Sequence, residues 1–266
     1  MENRVTLRRG SLEPADRHII KSKSKVAMLN GLRGMTWAYA VLYYTGLSAS
    51  TASKKFSPDG LLNLDAAGNP IISNIFYQYL RGERAPKEGP RGKSDFDLVA
   101  AVDRDLDGHN ATHWLKHPLW EILHPTTTLR RLREIMRAMP DEISSLLFSP
   151  SDRNTLYSRY SIERTPVSEI FLLATFDSYI ALVALTREGE LIGDDILLGR
   201  AHHALMMALP VVEAEPVFRY VLQPFFKYLL QFVLINRYLE TENRDGCGVS
   251  SPANIYFSNA HKMELP

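Results

Sequence analysis

The chain has 266 residues, 45% of them apolar and 23% charged, the values of an ordinary globular protein with a buried core rather than a fibre or a disordered tail. Its 31 basic and 30 acidic residues nearly cancel, so net charge selects no class of partner and only local patches can. The single cysteine, Cys247, excludes an internal disulfide framework; an early acid and no following apolar run argue against a secretory signal, so cytoplasm is the expected compartment.

Helical periodicity dominates the chain. From Gly31 to Tyr44, Leu32, Met35, Tyr39 and Leu42 recur at spacings of three and four and form one apolar stripe. Gly46-Leu47-Ser48 reads as a turn with Ser48 capping a short helix that runs through Phe56 and ends at Ser57-Pro58-Asp59-Gly60. Asn69-Pro70 predicts another helix start, with Pro at the first helical position, Ile72, Ile75, Tyr79 and Leu80 facing inward, and Gly82 as the stop. Pro86 to Lys93 is a loop by composition, and Asp95 to Leu106 resumes the period through Phe96, Val99 and Val102. Thr126 to Met139 is basic and amphipathic, and Pro140-Asp141 begins a further short helix.

Phe148-Ser149-Pro150-Ser151 marks the predicted domain boundary. Beyond it, Thr165 to Leu185, Asp194 to Leu209 and Val212 to Leu239 read as long helices, the first and last apolar around most of their circumference, as expected of a bundle core. Asp177 breaks the first as a membrane span, and Arg219, Pro224, Lys227 and Arg237 break the last, so no membrane partner is expected. Leu61 to Leu64 and Asn254 to Phe257 suit strands, too few for a sheet. The expectation is an all-α protein: a basic N-terminal arm (1–30), a helical region (31–148), a C-terminal helical bundle (152–240) and an irregular tail (241–266).

With Ile72, Ile75, Tyr79 and Leu80 inward, the side chains of Ser73, Asn74, Tyr77, Gln78 and Arg81 project outward together. Asn, Gln and Arg carry the paired donors and acceptors that match base edges in a major groove. Arg84, Lys87, Arg91 and Lys93 follow, where they would meet phosphates and set the docking register. Gly82-Glu83-Arg84-Ala85-Pro86 resembles the turn that leaves the recognition helix in Cro/C1-type helix-turn-helix proteins, and Thr45 to Ser53 resembles the turn and second helix of that unit. The pattern departs from the family at Lys55, where an apolar residue belongs, and in the dozen residues from Ser57 to Asn69, where the motif has a turn of three or four. The resemblance covers Gly31 to Leu106. It implies a helix-turn-helix-like element in a bacterial DNA-binding regulator, reading double-stranded DNA through Asn74, Tyr77, Gln78, Arg81, Arg84, Lys87 and Arg91, with the bundle dimerising or sensing a partner. Arg4, Arg8, Arg9, Arg17, Lys21, Lys23, Lys25 and Arg33 suit either a phosphate-binding arm or a solvated terminus.

Two further segments carry potential ligands. Asp103, Asp105, Asp107 and Gly108 look like the first half of an EF-hand loop, but the twelfth position is Trp114 rather than Glu, so a helix end is the preferred reading and no tight ion is expected. His109, His113 and His117 would share a helical stripe, yet Pro118 ends it and Trp114, Leu115, Leu119 and Trp120 favour aromatic packing. His202 and His203 are neighbours pointing apart. No nucleophile elbow and no phosphate loop is present, so neither catalysis nor a cofactor is expected. The alternatives to DNA binding are a helical adaptor using its Tyr- and Trp-rich surface on a protein partner, and a metal protein built on Asp105 and the histidines.

Overall fold

A computed structural model describes residues 14–56, 63–64, 70–71, 75–89, 97–106, 109–148 and 166–234. The first helix, α1, spans Pro14–Thr45. It therefore begins well before Gly31, and the second half of the expected arm is continuous with it. Helix α2 (Ala49–Lys55) starts as the Ser48 cap predicts: the Thr51 N–H donates to Ser48 Oγ at 3.1 Å. The Asn69-Pro70 helix start is corrected. Pro70–Ile71 (β2) pairs antiparallel with Asn63–Leu64 (β1), and α3 begins only at Ile75 and ends at Leu80. Proline lacks the ladder donor but suits a strand end, and here Pro70 faces Leu64 in the pair. This pair and an isolated bridge at Phe148 are the β structure of the described residues, so the fold is all-α.

Helix α4 (Leu98–Asp105) is capped by Asp97, whose Oδ1 accepts the N–H groups of Val99 and Ala100 at 2.9 and 3.1 Å. Helices α5 (Ala111–Lys116) and α6 (Pro118–Ile122) are separated by His117, then α7 (Leu129–Arg137) and α8 (Asp141–Leu147) follow. The expected helix from Thr165 to Leu185 is two. Ala174 takes φ +48°, which ends α9 (Pro166–Leu173), and Thr175 and Ser178 form a reciprocal capping box that opens α10 (Phe176–Ile192). Asp177, which looked like an interruption, lies in the first turn of α10, where the helix dipole favours an acid. Helix α11 spans Asp195–Met207. The last expected helix is likewise divided, into α12 (Leu209–Ala214), a 3₁₀ turn (Phe218–Tyr220), α13 (Leu222–Leu229) and a π-turn (Leu230–Leu234). Pro216 follows the end of α12 and cannot extend it.

The described residues up to Tyr228 form one compact unit, and Leu229 onward belongs to a second. Within the first unit, α10 packs on α11 and α9 and also on α6, α7 and α8. Ser178 to Gly189 is buried all round. Glu188, wholly buried there, accepts the Nε–H and Nη2–H of Arg133 on α7 at 3.0 and 2.9 Å. Burial does not extend through the whole apolar run: Leu172 on α9 is 76% exposed. Among the described residues, no helix is long and apolar enough to cross a membrane.

Candidate nucleic-acid interface

Helices α1, α2 and α3 share one aromatic core. Trp37 of α1 stacks on Phe76 with ring centroids 5.6 Å apart and meets Tyr79 edge-on at the same distance, while Phe56, at the end of α2, lies 6.1 Å from Phe76. All four are buried. Phe56 is the apolar residue one place late for the motif, and the helix end at Lys55 turns it inward while Lys55 faces Asp105 at 2.5 Å. With Phe76 and Tyr79 inward, Tyr77 is 42% exposed, Gln78 is half-buried and Arg81 is exposed.

The exit from α3 is fixed by glycine. Gly82 adopts φ +68°, and a Cβ at Gly31 or Gly34 of α1 would collide with the carbonyl oxygen of Gly82 or Arg84 respectively. The turn therefore lies backbone to backbone on α1, leaving Arg84 and Lys87 exposed and Pro86 buried. Arg81 donates from Nε to Glu83 at 2.6 Å; that bond raises the guanidinium pKa and lowers that of the Glu83 carboxyl. Thus Tyr77, Gln78, Arg81, Arg84 and Lys87 come together on one exit, whereas Asn74 and Arg91 lie outside the described residues. Between Lys55 and Ile75 stands the segment with the β1–β2 pair, not a three- or four-residue turn.

The Asp and His segments have local work. Asp103 accepts the Thr112 N–H at 3.2 Å and the Thr112 hydroxyl, joining α4 to α5, and Asp107 lies outside the described residues. His109 precedes α5 and stacks on Tyr44 at 4.7 Å, whereas His113 and His117 meet edge-to-face at 5.2 Å. The three imidazoles do not share one face, because Asn110, not His109, caps α5. Among the described residues no three metal-ligating side chains converge. His202 on α11 is partly buried, which lowers its pKa, as does neighbouring His203.

A second exposed surface gathers tyrosines from distant parts of the chain. Tyr220 stacks on Tyr39 at 5.1 Å, Arg219 lies over the Tyr220 ring at 4.9 Å, and Tyr43 and Tyr220 are 51% and 48% exposed. Burial and the neighbouring Tyr220 raise the Tyr39 pKa. The four-residue spacing of Tyr39 and Tyr43 was the available signal; the approach of Tyr220 was not encoded locally. No family model, curated protein or solved structure matches the chain.

Proposed function

We propose that this chain is a non-enzymatic DNA-binding regulatory protein that docks through the outer face of α3 and the loop after it. The observation that carries the reading is the division of α3: Phe76 and Tyr79 anchor it in the three-helix core, so Tyr77, Gln78 and Arg81 form its outer side beside exposed Arg84 and Lys87. A major groove admits such a helix, and flanking cations suit the phosphates on either side. The Arg81–Glu83 pair is exposed and weak, so a phosphate or base edge can replace Glu83.

Fluorescence anisotropy with labelled duplexes tests this. Binding is expected to fall steeply with salt, and Arg84→Ala or Lys87→Ala is expected to weaken all sequences alike and reduce the salt slope by roughly one each. Gln78→Ala is expected to cost about 1–3 kcal/mol at particular base pairs only. The absence of salt-sensitive binding to any duplex ends the reading. The exposed Tyr39–Tyr43–Tyr220 surface with Arg219 favours a second one, a protein-contact face, since Tyr and Arg are the residues that anchor such interfaces. On that reading the wild type self-associates in sedimentation analysis, and Tyr43→Ser with Tyr220→Ser abolishes it.

A further inference from the structure

Away from the α3 face, a cleft of about 540 Å³ opens between α1, α5, α6 and the start of α7. That volume suits a small-molecule ligand, for which pockets run to roughly 300–1,000 Å³. One wall is apolar, formed by Leu29, Leu115 and Trp120. Hydrogen-bond donors line the cleft beside it. Arg33 uses Nε on the Leu115 carbonyl, which fixes its guanidinium at the cleft, and Glu121, in the same lining, pairs with Arg131 instead. The Thr128 oxygen accepts the Arg131 N–H at 3.3 Å, so its hydroxyl proton is directed elsewhere. Glu121, the acid of this lining, is held by Arg131 through two bonds of 2.5 and 2.9 Å, which lower its carboxyl pKa.

His117 adds a neutral donor. Its Nδ1 accepts the Leu119 N–H at 3.2 Å, so the ring proton of the neutral imidazole sits on Nε2. Lys116, bound to Glu88 at 2.7 Å, stands at the rim. The cleft thus pairs a surplus of donors and positive charge with an apolar wall.

We propose that this cleft binds a small phosphomonoester that carries a flat apolar group. The phosphoryl oxygens meet Arg33 and Thr128, and the apolar group lies along Leu115 and Trp120. Three acceptor oxygens with a double charge match this donor set better than a carboxylate does. The site is independent of the DNA reading, because none of its residues belongs to the α3 face.

Isothermal titration calorimetry of the full chain with phenyl phosphate, inorganic phosphate and benzoate tests the assignment. Phenyl phosphate is expected to bind at least about tenfold more tightly than inorganic phosphate or benzoate, each tenfold being 1.4 kcal/mol. Arg33→Gln, which keeps a donor for the Leu115 carbonyl, is expected to weaken it about tenfold or more. Lys116→Ala, a surface change that spares the fold, is expected to weaken it several-fold. No heat with phenyl phosphate, equal binding of benzoate, unchanged affinity in both variants, or displacement of phenyl phosphate by a short DNA duplex overturns the proposal.

Discussion

His117 caps one helix and is enclosed by aromatic rings on several sides. Its ring stacks on Trp114 at 5.8 Å and meets Phe176 at 5.7 Å, while Nδ1 holds the first turn of α6. Burial, with a smaller contribution from nearby His113, pushes its pKa down to about 4. The unfolded chain binds this proton near 6.5, so between those values the unfolded state holds more protons and stability falls as pH falls. The loss is on the order of 3 kcal/mol when complete. His117→Asn keeps an oxygen to cap α6 but cannot titrate. Urea unfolding at pH 7 and at pH 4.5 is expected to show a smaller acid loss in this variant than in the wild type; equal losses would falsify the assignment. His202 acts in the same direction and cancels in the comparison. The sequence indicated a packed histidine here through its flanking tryptophans, but the cap on Leu119 depended on Pro118 starting a new helix.

Among the elements, the α1–α3 contact depends on absent side chains. Gly31 and Gly34 sit one turn apart on α1 and admit the carbonyls of Gly82 and Arg84. Gly31→Ala gains about 1 kcal/mol of helix propensity but forces the turn away from α1, at about 1–3 kcal/mol or more of overpacking. A net loss of stability is expected, and, on the proposed DNA reading, weaker duplex binding as the exit of α3 shifts. Gly199 on α11 is the control: nothing lies within 4 Å of its would-be Cβ, so Gly199→Ala is expected to stabilise by about 0.4–1 kcal/mol. Thermal melts of both variants decide the sign. The helix cap at Ser48 was legible because its side chain bonds within three residues of itself, and the caps at Thr128 and Asp194, which the structure adds, are equally local. The division at Ala174 was not legible, because an alanine in left-handed geometry leaves no mark in an apolar run.

At the scale of the molecule, the all-α class followed from periodicity, whereas packing across the predicted boundary at Phe148 did not. Polar, proline-containing linkers look alike whether they join domains or cross the surface of one core. Helix α10 takes partners from both sides of that boundary, and such long-range choices leave no local pattern. Its centrality makes a specific expectation. Amides from Ser178 to Gly189, buried on every side, should exchange with solvent only through global unfolding and be among the slowest of the chain. Leu182, wholly buried, makes the test sharper. Leu182→Ala is expected to cost about 2–5 kcal/mol, and protection should fall by one common free energy in α10, α11 and α7 and in α1 and α3 as well. Mass-spectrometric hydrogen exchange on wild type and variant reads this directly. Retained protection in α1 and α3 beside loss in α10 and α11 would show that the described residues up to Tyr228 unfold as more than one cooperative unit.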